Sequence, residues 1–445
     1  MLLNRTDLSS AFSRLHADEA SPSASLTELA PRPARVEDTG IPRLWLADLL
    51  SKHLAVAGVL DAVALARRLG LPGPVVDELL GFLRAEARVE LRARRDDSPV
   101  LRYGLTERGR ELAADALQRD GYVGPAPVPL GVYEKIVRAQ SVARFPVTQP
   151  QVHAAFGDTV IRPELLDRLG PALSSGRAIF VYGDPGTGKT YIARRLARLL
   201  GPPVLLPHAV MVGESAIAYF DPSLHHPVAT PDAADSPLLS AGFDARFVLC
   251  ERPVVTSGGE LTLDLLDLRY DPVARRYVAP LQMRANMGML IIDDLGRQRV
   301  APVDLFNRWI VPLEEGWDQL ALHTGQHFAV PFDQVLVFST NLDPKTLADE
   351  AFLRRIGHKI RFESSSRAEY VRIWRQVCDE CGVSEAVSLV EFVLDELYPG
   401  GEAPLLPCHP RDLLRLALDY VRYRSRGAVD QEALHWAWRN YFLET

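Results

Sequence analysis

Cysteine is scarce, with four residues in a chain of 445. So low a count excludes a disulfide framework and points to a reducing compartment. Nowhere do about 18 apolar residues run without interruption, the length a membrane helix needs, so no membrane insertion is expected. The opening MLLNRTDLSSAFSRLHADEA lacks the apolar centre of a secretory signal, and the expected location is cytoplasmic. A charge excess is missing as well. Fifty Lys and Arg against 57 Asp and Glu leave a net −7, which gives no global pull toward nucleic acid or anionic lipid. Any DNA contact must come from a local patch. No internal repeat, Ser/His/Asp hydrolase pattern or paired-carboxylate glycosidase pattern stands out.

What is present is ample core material: 47% of the residues are hydrophobic, in a chain longer than one core usually supports. Residues 1–40, rich in Ser, Ala and Pro without a period, read as a disordered leader. Residues 41–120 read as three helices, the second capped by Asp61, followed by two strands. A polar turn at Asp96, Asp97, Ser98 and Pro99 joins these strands, and Thr106 caps a further helix. Residues 121–149 read as a linker and connecting helix, because 121–131 hold three prolines and three glycines. Residues 150–364 alternate apolar strand-like runs (178–182, 289–292, 335–339, 358–362) with amphipathic helices. This is the α/β pattern of a parallel sheet. Residues 365–445 read as an all-helical lid.

The segment Gly183-Asp184-Pro185-Gly186-Thr187-Gly188-Lys189-Thr190 fits G-x-x-x-x-G-K-[ST] without a gap, between the apolar run AIFVY and the helical YIARRLARLL. Glycines let successive backbone N–H groups face one point, and the following helix adds the positive end of its dipole. Lys189 then reaches the β- and γ-phosphates of ATP, and the Thr190 hydroxyl ligates Mg²⁺. Four apolar residues ending in Asp293 and Asp294 supply the acidic partner. Asp293 holds the Mg²⁺ shell, and Asp294 polarises the attacking water.

With these motifs in place, residues 150–445 resemble the AAA+ superfamily of P-loop ATPases. The resemblance implies an α/β AAA+ core with a C-terminal helical lid, and ATP and Mg²⁺ as cofactors. VLVFSTN resembles the sensor-1 strand, making Asn341 the group that orients the lytic water. Phe352-Leu353-Arg354-Arg355-Ile356 resembles the arginine-finger segment, with either Arg354 or Arg355 reaching a neighbour's γ-phosphate and Arg355 preferred. His409-Pro410-Arg411-Asp412-Leu413 resembles the sensor-2 helix start, making Arg411 a contact in cis. Val160 and Ile161 take the place of adenine contacts, and Tyr191 continues the phosphate site. Asp294 departs from the family's usual Glu by one methylene. The resemblance implies a homo-oligomeric ring, a hexamer among its forms.

The interval from Lys189 to Asp293 is 104 residues, longer than one helix and one strand require. Runs 247–255 and 261–268, joined through Ser257-Gly258-Gly259, read as an inserted hairpin. A second hairpin over 320–330 turns at Thr324-Gly325. These placements, with Ala285-Asn286-Met287-Gly288 ahead of the acidic pair, resemble the pre-sensor-1 hairpin branch, which includes MoxR-type remodelling ATPases. No GAFTGA-like loop is present, which counts against enhancer-dependent activators. Tyr103-Gly104-Leu105-Thr106-Glu107-Arg108-Gly109 resembles the wing-to-helix junction of winged helices. The helix expected to read DNA begins Pro74-Val75-Val76-Asp77-Glu78, and two carboxylates near its start have the wrong sign for a groove. Residues 41–120 balance thirteen basic against twelve acidic residues, so a protein-docking role is preferred to DNA. The combined expectation is an ATP-driven remodeller of a protein client. A DNA-associated loader or regulator and a slow nucleotide-dependent assembly switch are the alternatives. Cys378, Cys381 and Cys408-His409 have zinc-ligand types, although Cys378 and Cys381 also suit apolar packing one helical turn apart. His225-His226 is followed by Pro227 in a loop, and no ligand role is expected of it.

Overall fold

Alternate residues of five short apolar segments turn opposite ways, and that period of two builds the centre of the molecule. In the computed structural model, which describes residues 26–92, 101–228, 242–384, 386–398 and 404–442, these segments are β1 (Ile179–Gly183), β2 (Val254–Ser257), β3 (Met289–Ile292), β4 (Val335–Thr340) and β5 (His358–Phe362). They form one parallel sheet in the order β2-β3-β4-β1-β5. Phe180, Leu290, Ile292, Leu336 and Phe338 face a core built around Phe306, Trp309 and Phe352. Their sequence neighbours Ile179, Val181, Ile291 and Val337 face Leu169, Leu173, Ile192 and Leu196 on the other side. Both faces are covered, which is why β3 and β4 contain no exposed position. The protein is therefore an α/β protein with a five-stranded parallel sheet.

Strand β2 corrects the reading of 247–268 as a hairpin. Phe247–Cys250 pairs antiparallel with Val204–Pro207, Val254–Ser257 joins the parallel sheet beside β3, and Leu263–Leu266 is a 3-10 turn. The all-apolar β3 needs backbone partners on both sides, and Val254–Ser257 supplies the missing row of donors and acceptors. The second hairpin does form: Trp317–Ala321 pairs antiparallel with His327–Pro331, between the helix Pro302–Glu315 and β4.

The insertion builds a second β layer. Its strands lie in the order Arg269–Asp271, Arg276–Val278, Ser215–Ala218, Ala209–Val212 and Val128–Pro129. The last of these corrects the linker reading of 121–131, since Val128 and Pro129 pair with Val210 and Met211. The following helix, Leu130–Ala139, buries Tyr133, Ile136 and Val137. Apolar residues at 128, 133, 136 and 137 had packing partners that only the insertion could bring.

Residues 26–40 likewise pack, contrary to the expectation of disorder, whereas 1–25 lie outside the described residues. Ala30 and Val36 are buried. The Ala30 carbonyl accepts from the Asp244 amide at 2.9 Å, and Arg246 donates to the Thr39 carbonyl at 2.8 Å.

Residues 43–119 carry helices Arg43–Ala57, Ala62–Leu69, Gly73–Ala85 and Glu107–Arg119. Val89–Arg92 and Arg102–Leu105 pair antiparallel, and Leu60–Asp61 adds a third strand. The Asp61 and Thr106 side chains accept from the amides of Ala64 and Gly109 at 2.7 and 2.9 Å. The turn placed at residues 96–99 lies outside the described residues. This unit sits on the insertion, where Ala209, Met211 and Ala216 share its core.

At the C-terminal end, Arg367–Cys381, Ala386–Phe392, His409–Tyr423 and Gln431–Phe442 pack around Tyr370, Trp374 and Leu413. Ser366 and Glu369 form a capping box at its start. No helix among the described residues is long and apolar enough to cross a membrane.

Candidate functional site

The cradle follows β1 directly. Gly183 has φ +139° and lies so close to the Phe362 carbonyl of β5 that a Cβ would collide with it. Gly186, at φ +81°, faces the Cys408 sulfur. The chain then turns into the helix Lys189–Leu196. Lys189 Nζ donates to the carbonyls of Gly183 and Asp184, both at 2.8 Å, and to Asn341 Oδ1 at 2.7 Å. These bonds hold a buried ammonium between the loop and Asn341. Burial lowers its pKa, while Asp294, Asp184 and Asp293 oppose that shift.

Parallel pairing of β3 with β4, and of β4 with β1, brings the ends of all three strands to one edge. Asp293 and Asn341 thereby come beside a loop more than a hundred residues away in sequence. Thr190 Oγ1 donates to Asp293 Oδ1 at 2.7 Å. The hydroxyl and carboxylate are a hard oxygen pair suited to Mg²⁺ or its water shell. Asp294 takes φ +51°, and Asn341 Nδ2 lies 3.4 Å from its Oδ1.

A cleft of roughly 850 Å³ runs from the cradle to the helical lid. Its walls include Val160, Ile161, Pro185, Gly186, Thr187, Gly188, Lys189, Thr190, Tyr191, Asp294, Asn341 and Arg411. Arg411, from the first turn of His409–Tyr423, pairs with Glu380 at 3.4 Å. The cleft does not include Arg354 or Arg355. Arg354 pairs with Glu350 at 3.1 Å with its side chain 76% exposed, and Arg355 pairs with Glu314 at 2.7 Å.

Sequence reasoning missed three residues here. Arg162 spans the junction of sheet and lid, donating to Glu369 at 2.9 Å, to Glu363 at 3.1 Å and to the Ser364 carbonyl at 2.7 Å. Its place directly after Val160-Ile161 was the available signal. Cys408 stands over the loop, its amide donating to the Gly186 carbonyl at 3.2 Å. Arg297 lines the cleft three residues after Asp294.

The zinc-ligand types do not gather: among the described residues no group of three or more His, Cys, Asp or Glu is placed to hold a metal ion. Cys378 is buried in the lid core. His225 is buried, its Nδ1 accepting from the Asp221 amide and its Nε2 2.9 Å from the Arg284 carbonyl.

A family model described as a domain of unknown function (DUF8689) matches residues 366–440. No curated protein matches the chain. Solved structures similar to it include a point mutant of Thermotoga maritima RuvB, 12% identical over 62% of this chain and 68% of that chain, with a TM-score of 0.36. A second RuvB mutant is 12% identical over 68% and 74%, with a TM-score of 0.35. The Thermotoga maritima RuvB described as a Holliday junction branch migration motor is 13% identical over 68% and 72%, with a TM-score of 0.33.

Proposed function

We propose that the chain is an AAA+ ATPase that binds ATP·Mg²⁺ and hydrolyses it to ADP and phosphate, working as a ring oligomer that remodels a protein client. The observation that carries this reading is the meeting of Lys189 with Asn341 and of Thr190 with Asp293 at one edge of a β2-β3-β4-β1-β5 sheet. Backbone amides from Gly186 to Thr190 bind the phosphate oxygens, and Lys189 neutralises the charge that they share. Thr190 and Asp293 would hold the Mg²⁺, which would supply positive charge to offset that of the phosphates. Asp294 accepts the proton of the attacking water, and Asn341 fixes that water between Asp294 and the γ-phosphate. Val160 and Ile161 flank the base.

The test joins binding to turnover. Calorimetry should detect ATP·Mg²⁺ binding, and Asp294→Asn should retain that binding while turnover falls by about 10²–10⁴-fold, the usual contribution of a general base. Binding absent from the wild-type protein would end the ATPase reading. Pull-down with the same variant, which holds ATP without cleaving it, is the route to the client.

The ring reading has its own support. Arg355 and Arg354 lie outside the cleft of their own subunit, as fingers serving a neighbour must. Arg355→Ala should spare ATP binding within about threefold and lower turnover by about 10³-fold. Equal turnover in variant and wild type would remove Arg355 from that role and leave Arg354.

The hairpin Trp317–Ala321/His327–Pro331 ahead of β4 supports the pre-sensor-1 branch and MoxR-like remodelling. Residues 43–119 are best read as a winged helix used for protein docking. The helix that would enter DNA, Gly73–Ala85, has Glu78 of its second turn occupied. Glu78 pairs with Arg43 at 2.7 Å and accepts from the Val36 amide at 3.2 Å.

A further inference from the structure

We infer that Arg297 is a further catalytic residue, a guanidinium delivered by the same subunit to the γ-phosphate as it leaves; this rests on the ATPase reading above. The first support is placement. Arg297 lines the cleft with Lys189, Asp294 and Asn341, on the turn that follows β3.

The second is how firmly that turn is held. The Leu295 amide donates to the Ser339 carbonyl at 2.8 Å, and Thr340 Oγ1 donates to the Leu295 carbonyl at 2.7 Å. Gln298 Nε2 donates to the carbonyls of Asp293 and Asp294 at 2.8 and 3.2 Å, while its Oε1 accepts from the Gly296 amide at 2.7 Å. The Arg297 amide closes the turn on the Asp294 carbonyl at 3.0 Å. Gly296, at φ +103°, packs where a Cβ would meet Leu342 Cδ1 at 2.9 Å. A turn that leaves the end of β3, bonds internally and is bonded to β4 gives an arginine a fixed base beside the reacting atoms, the pre-organisation that electrostatic catalysis needs.

The third is charge. Among the described residues the Arg297 guanidinium has no hydrogen bond or ion pair, whereas Arg162 is held by Glu369 and Arg411 by Glu380. Arg361 also lines the cleft, but it stands on β5, which flanks β1 on the side away from β4. Asp293 and Asn341, which mark the γ-phosphate end, are on the β3–β4 side, as Arg297 is. A guanidinium spreads two parallel N–H bonds over phosphate oxygens and gains most as charge develops there.

Arg297→Ala is therefore expected to lower kcat by about 10²–10³-fold, the effect of one transition-state donor, with ATP and ADP affinities within about threefold of wild type. It should also lose the binding of aluminium fluoride with ADP. Arg297→Lys should recover only part of the rate, because an ammonium cannot bind two oxygens in parallel. Mixing Arg297→Ala with Lys189→Ala subunits separates cis from trans action. A cis residue leaves the mixture inactive, whereas recovered turnover would overturn the assignment, since a neighbour's Arg297 would then be serving the intact cradle. Turnover of Arg297→Ala within threefold of wild type would also overturn it. Absence of ATPase in the wild-type protein would instead strike the reading beneath it. The side chain is exposed, so the variants should melt at the wild-type temperature; a lowered melting temperature with parallel loss of ADP binding would make the role structural.

Discussion

Lys189→Ala is expected to lower ATP turnover by about 10³-fold, the upper end for removing one pre-organised donor from a developing oxyanion. Weaker ATP·Mg²⁺ binding should accompany it. Each charge-assisted bond lost to the phosphates is worth about 1.5–3 kcal/mol. The substitution also strips the Gly183 and Asp184 carbonyls and Asn341 Oδ1 of their common donor, so the cradle itself loosens. Steady-state phosphate release and calorimetry on the same preparation read both effects. Turnover within tenfold of wild type would place the chemistry elsewhere and sink the site.

The second large effect is expected far from the phosphates. Arg252 is buried and donates to the carbonyls of Pro202 at 3.1 Å, Gln140 at 2.7 Å and Met287 at 2.6 Å. Burial lowers its pKa to about 10, with Asp333 opposing the shift. Around it Gln140 bonds both the amide and the carbonyl of Leu205. Asn286 bonds Tyr133, the Pro331 carbonyl and the Asp333 amide.

This buried polar network ties the insertion, the helix Leu130–Ala139, the entry to β3 and the hairpin ahead of β4. Arg252→Ala leaves three buried carbonyls without a donor at about 1–3 kcal/mol each. An overall loss of about 3–5 kcal/mol is expected, or roughly 10 °C in melting temperature at this domain size. Turnover should fall with it, because β3 and β4 carry Asp293 and Asn341. Arg252→Lys should recover little, since one ammonium cannot reproduce the planar fork. A melting temperature within about 2 °C of wild type would show the network to be dispensable.

These two sites differ in how readable they were. The cradle is local: eight consecutive residues between a strand and a helix, with positive φ at Gly183, Gly186 and Gly188 and the ammonium of Lys189. The carboxylates 104 residues further on were legible because an all-apolar strand ending in Asp293 and Asp294 has few other uses. The Arg252 network had no such signature. Arg252, Gln140, Asn286 and Asp333 are isolated polar residues in unrelated segments, and nothing in their spacing announces that they lie close together in the interior. Arg297 was hidden for a related reason. A basic residue in a turn is ordinary until the turn is seen bound to β3 and β4.

The misread segments share a cause. Residues 121–131 and 26–40 are rich in Pro, Gly or Ala, which removes the periodicity by which packed segments are recognised. Their burial comes from partners elsewhere, Val210 for Val128 and Asp244 for Ala30. The run 247–255 was given to a hairpin because Ser257-Gly258-Gly259 is good turn material. A neighbour 35 positions away at β3 won instead, because an uncovered edge of a buried strand costs more than a local turn returns.

By itself the amino-acid sequence determined the α/β character, the glycine loop between strand and helix, the acidic strand end and the helical C-terminal part, since each is set by short-range period, charge and backbone preference. Tertiary structure alone decided the strand order, the second β layer, the seating of residues 43–119 on it and the company Arg297 keeps. Those depend on which distant surfaces exclude water together, and contacts between distant segments leave no local mark in the chain.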